Sequence, residues 1–176
     1  MTYLFRIGRL AGLMAVLAGA AASPVCGAVL APSSAPAAQE PGLVGTWRLV
    51  RFENRFADGR VLHPFGEHPL GYFVYDATGH LSVQIMHNPP IATGAAVTLS
   101  FDDTAPSKIY DAYFGTYWVD KAHGVLHHVV EGGANYDYVA HPDQVRPYRL
   151  NGDTLIIEIK DEKQGMQFYR ELHRVR

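Results

Sequence analysis

From residue 42 onward, apolar and polar positions alternate in short runs, and turn-forming residues separate the runs. A period of two predicts half-buried β-strands, and no long stretch carries the 3.6-residue period of an amphipathic helix. Eight runs read as strands: 44–55, 70–75, 80–86, 112–119, 125–131, 144–150, 154–160 and 166–175. Asp58-Gly59, Thr78-Gly79, Asp120 to Gly124 and Asn151-Gly152-Asp153 supply turn chemistry between them. Two connections are longer than a hairpin turn needs. Residues 87–108 contain Asn88-Pro89-Pro90 and the polar pair Asp102-Asp103, read as a solvated loop, with a short helix expected within 104–111. Residues 132–143 form the second, and long connections of this kind often cover a site.

Eight antiparallel strands in simple chain order predict an all-β, eight-stranded up-and-down barrel, with an open β-sandwich as the alternative. Closure removes the sheet edges that would otherwise be exposed. A barrel of eight strands is just wide enough to be filled by side chains or to hold one small ligand.

The first 28 residues have a different pattern. Arg6 and Arg9 precede an uncharged Ala/Leu-rich run, and small residues follow. This is the secretory signal pattern, with cleavage expected after Ala22 or after Gly27 or Ala28. The apolar run, about 13 residues, is short against the roughly 20 needed for a transmembrane helix. Residues 29–41 are rich in Ala, Pro and Ser and read as a linker. The expected organisation is therefore a signal peptide (1–28), a linker (29–41) and a barrel domain (42–176), exported to a periplasmic or extracellular space without a stable membrane span. Cys26, the sole cysteine, falls in the segment expected to be removed, and its preceding residues fit lipidation poorly.

Composition narrows the function classes. Fifteen basic and 17 acidic residues give a net charge of −2, which argues against a nucleic-acid footprint. One cysteine excludes an internal disulfide and paired CxxC metal signatures. No P-loop, GxGxxG, HExxH or GxSxG occurs. The nine histidines are scattered, so no metal site and no cofactor are expected.

Gly45-Thr46-Trp47 opens the first strand. With it, LVGTWRLV (43–50), HPFGEHPLGYFVYDATGHLSVQ (63–84), YDAYFGTYWVD (110–120), VLHHVVEG (125–132) and QVRPYRLNGDTL (144–155) resemble the bacterial and fungal lipocalin-like domain family. The resemblance spans about residues 43–175 and implies a calycin-type barrel more firmly than it implies an activity. It also implies that Trp47, in the Gly45-x-Trp47 motif, closes the barrel base. An arginine of the last strand should pack on Trp47, with Arg174 the first choice and Arg170 the second. Residues 132–143 depart from the family pattern.

Strand parity selects candidate luminal residues. Residues 112–119 are aromatic on both faces, and the resemblance favours Tyr113 and Tyr117 inside. In 125–131 the set Val125, His127, Val129 and Glu131 is taken as inner because it carries two polar groups. His127 is then the candidate for acid–base work near neutrality. Tyr72, with Phe73 and Tyr75, is read as wall, and Arg146 as a fork for an anionic head group. The expected function is binding of a small apolar or amphipathic molecule in the lumen by Tyr72, Tyr113, Tyr117, His127 and Arg146. The rival classes are an isomerase- or cyclase-type barrel enzyme using His127 and luminal tyrosines, and an envelope structural or interaction protein with a filled core.

Overall fold

The computed structural model describes residues 40–90, 108–163 and 165–176. The signal segment, nearly all of the linker, the Asp102-Asp103 loop and the first half of the helix expected within 104–111 lie outside these residues. The described part of that helix is not helical, since Tyr110 and Asp111 begin a strand.

In chain order the strands are β1 (Gly45–Phe56), β2 (Val61–Leu62), β3 (Leu70–Tyr75), β4 (His80–Met86) and β5 (Tyr110–Asp120). After them come β6 (Val125–Gly133), α1 (Tyr136–Ala140), β7 (Asp143–Asn151), β8 (Thr154–Asp161) and β9 (Met166–Arg174). They form one antiparallel sheet in the order β2-β1-β3-β4-β5-β6-β7-β8-β9, and β1 also pairs with β9. That pairing closes the eight long strands into a barrel, as the meander predicts. β2 is an addition the periodicity did not reveal. It pairs only with Asn54 and Arg55, at the far end of β1.

The turns have local causes. Asp76 Oδ1 accepts from the backbone N–H of Thr78 at 2.8 Å and of His80 at 2.9 Å. Gly79, at φ 90°, then completes the β3–β4 hairpin in a conformation that favours glycine. Burial alternates cleanly along β5, where Asp111, Tyr113, Gly115, Tyr117 and Val119 face inward. The core holds Trp47, Tyr75, Phe65, Leu126, Leu155, Ile157 and Leu172, all almost fully buried. Gly115 sits at a register shift between β5 and β6, where a Cβ would meet the Val129 carbonyl oxygen at 2.1 Å.

Two features set the wall around the lumen. The connection 132–143 contains the short helix α1. Its N-cap, Asn135, accepts from the Asp137 N–H at 2.9 Å. Tyr138 of α1 packs on Tyr113, with ring centroids 4.8 Å apart. The β7–β8 ladder runs only from Asn151↔Thr154 to Tyr148↔Ile157. The next residue on β7 is Pro147, which has no N–H to donate, so the pairing ends there. Among the described residues no helix is long and apolar enough to cross a membrane.

Candidate functional site

The barrel base is built from the first and last strands. Trp47 is fully buried, and its Nε1–H donates to the Leu43 carbonyl at 2.8 Å. The Arg174 guanidinium lies over the indole, 4.2 Å from the ring centre. Arg174 also donates to the carbonyls of Val44, at 2.8 Å, and Gly42. Gly45 allows this approach: at φ 140°, a Cβ there would stand 2.6 Å from Arg174 Nη1. Arg170, the second choice, lies further along β9. Its guanidinium packs on Phe52 at 3.2 Å and donates to the Glu53 carbonyl at 2.7 Å.

Above this base is a luminal cavity of about 130 Å³. Phe52, Phe73, Ile85, Ile157, Ile159 and Phe168 supply its apolar wall. Tyr113, Tyr138, Asp111, Gln144, Arg146 and Arg170 supply its polar groups. The Tyr138 hydroxyl donates to Asp111 Oδ2 at 2.7 Å.

Behind the cavity wall is a buried polar chain. The His128 ring lies between two tyrosine hydroxyls, Tyr75 at 3.0 Å from Nε2 and Tyr113 at 2.8 Å from Nδ1. His128 and Tyr75 have no exposed surface. Burial, and then the positive charge of Arg146, hold the imidazole well below its ordinary pKa, so it is neutral. Burial likewise pushes the Tyr75 hydroxyl well up. A neutral imidazole has one donor and one acceptor nitrogen. Among the described residues Tyr75 has no acceptor besides His128, so its hydroxyl donates to Nε2. The Nδ1–H then donates to Tyr113, the member of the chain that reaches the cavity.

The sequence-based candidates divide. Tyr113 and Arg146 line the cavity. Tyr117 points inward, but its hydroxyl donates to the Asp76 carbonyl at 2.7 Å, and burial raises its pKa to about 12. His127 does not face the lumen. It stacks on Trp118 at 3.7 Å on the outer face and contacts Asp143 through Nδ1 at 2.9 Å. The expectation for β6 is therefore reversed: Leu126, His128 and Val130 are inside. Register supplies the reason, because Tyr117 pairs directly with His128 and Trp118 with His127. Directly paired residues share a face. Tyr72 also lies outside, 38% exposed, with the Arg48 guanidinium 4.9 Å from its ring centre. Its neighbours Phe73 and Tyr75 are the inward pair. The luminal residues that sequence reasoning missed as a site are His128, Asp111, Tyr138 and Arg170.

A family model described as a lipocalin-like domain matches residues 44–174. The chain belongs to the lipocalin-like domain family. Similar solved structures include a redesigned β-barrel, at 12% identity, covering 77% of this chain and 93% of that one, with a TM-score of 0.39. A de novo designed fluorescence-activating β-barrel matches at 12% identity, 75% and 93% coverage and a TM-score of 0.37. No curated protein matches the chain. The lipocalin-like barrel has, among its described residues, no group of three or more His, Cys, Asp or Glu side chains that could hold a metal ion.

Proposed function

We propose that this lipocalin-like protein is an exported binding protein that holds one small amphipathic molecule in its lumen. The observation that carries the reading is the cavity of about 130 Å³, walled by phenylalanine and isoleucine and edged by a few polar groups. Such a composition is the usual design of a small-molecule site. Its volume is close to that of a cavity of about 150 Å³ known to take up benzene. A filled core would leave no such space. An acid–base enzyme fits less well, since His127 is on the outer face and His128 is sealed behind Tyr113. Export is supported by the basic start, apolar run and small residues of 1–28.

A thermal-shift screen of compact amphipathic molecules tests the binding reading. A ligand present at 100 times its Kd stabilises the folded state by about 2.7 kcal/mol, a shift of several degrees. A broad screen without a saturable shift overturns it. The mass of the protein recovered from the periplasm or medium tests export. A form shortened to a start between residues 23 and 29 is expected, and full-length chain retained in the cytoplasm refutes it.

A further inference from the structure

The charge on the cavity wall is not balanced in the way it is elsewhere in the barrel. Arg55, Arg60, Arg149 and Arg174 each pair with a carboxylate. Arg146, inward on β7, has only neutral acceptors: Gln144 Oε1 at 2.9 Å and the Val145 carbonyl at 3.4 Å. No carboxylate of the described residues lies within ion-pair distance of it. Gln144 acts as a brace, since its amide donates to the His141 carbonyl while its oxygen holds Arg146 Nη2. These two bonds leave further N–H donors of the five on a guanidinium. Arg170 lines the same wall but is engaged by the Glu53 carbonyl and Asn54 Oδ1, so Arg146 is the guanidinium that carries the argument.

We infer that the ligand is a compact carboxylate, with its head group on Arg146 and a ring or branched body of about the size of benzoate among Phe52, Phe73, Ile85 and Ile157. This inference rests on the luminal-binding reading above. A planar guanidinium fork matches a carboxylate in geometry and charge. The cavity volume sets the other limit. A space of about 130 Å³ takes a single ring, and a long acyl chain would have to extend beyond it.

Isothermal titration of the whole chain with benzoate, benzyl alcohol and palmitate tests it. Benzoate is expected to bind about 10- to 100-fold more tightly than its neutral analogue, the range of a charged hydrogen-bonded contact. Arg146→Gln is expected to remove that advantage and leave benzyl alcohol within about threefold of its original affinity. Arg146→Lys keeps the charge without the fork and should fall between the two. Palmitate is expected not to compete with benzoate. Equal affinity for benzoate and benzyl alcohol in the unmodified protein overturns the carboxylate head while the luminal reading stands. Competition by palmitate overturns the size limit. Failure of all three probes, together with an empty broad screen, removes both readings. The comparison of probes on the unmodified chain decides the matter even if Arg146→Gln does not fold.

Discussion

Replacing His128 by Leu removes the ring that joins Tyr75 to Tyr113, two buried hydrogen bonds of 3.0 and 2.8 Å. The volumes are similar, so the cost is mainly polar. Tyr75 is left with a fully buried hydroxyl and no acceptor among the described residues. An orphaned group of this kind costs about 1–3 kcal/mol, and the bond lost by Tyr113 adds about 1. The expected loss is therefore about 2–4 kcal/mol, a large part of the roughly 5–15 kcal/mol that stabilises a typical domain. The Tyr75→Phe substitution alone leaves Nε2 without its donor and should cost about 1–2 kcal/mol. The double variant removes donor and acceptor together. It should cost less than the two single losses combined, by about 1–2 kcal/mol. Urea denaturation with a constant slope gives all the values needed. Additivity within about 0.5 kcal/mol would refute the buried chain as a coupled unit. The same histidine predicts a pH dependence. Its folded pKa lies well below the ordinary value of 6.5, so below that pH the unfolded chain binds more protons than the folded one. Stability is then full above about pH 6.5 and falls by up to about 1.4 kcal/mol per unit as pH drops toward the folded pKa. His128→Leu should lack this component of the acid slope.

Three further substitutions test other parts of the barrel. Arg174→Ala removes the indole stack and two bonds to carbonyls and should cost about 2–3 kcal/mol in urea denaturation, with Arg174→Lys restoring less than half. Gly115→Ala places a Cβ 2.1 Å from the Val129 oxygen and should lower the unfolding free energy by about 2 kcal/mol or more, whereas a neutral result would mean that the bulge relaxes freely. His127→Ala breaks an outer-face contact and should cost no more than about 1 kcal/mol, with luminal ligand affinity unchanged by titration calorimetry.

The barrel was legible because its strands are long, alternating and separated by glycine- and aspartate-rich turns. β2 was not, since a two-residue strand has no period. Helix α1 was missed for a similar reason: five residues make little more than one turn, and the clue was the capping residue Asn135. Of the two errors in the site, the one at His127 came from treating strands singly and the one at Tyr72 from neglecting parity within a strand. Tyr117 inside and His127 inside are incompatible once the short 121–124 turn sets Asp120 opposite Val125, because the ladder then puts His128 beside Tyr117. Tyr72 and Tyr75 differ by an odd number of residues and cannot share a face. Arg146 stood out for its guanidinium fork and not from strand parity, and it lines the cavity. The roles of Arg170 and Asp111 depend on how remote strands converge, which no local pattern carries.

The pairing of β1 with β9 has a kinetic consequence. Every other ladder joins strands that are neighbours in sequence, apart from β1–β3, where only the two-residue β2 intervenes, so each can form from a nearby stretch of chain. Closure alone brings together residues 110 to 132 positions apart, from Phe56 opposite Met166 to the bond of Arg174 to Gly42. The entropy of closing so long a loop is concentrated in that one event. The arginines of β9 therefore latch the step at which a chain of hairpins becomes a container, and the lumen exists only after it.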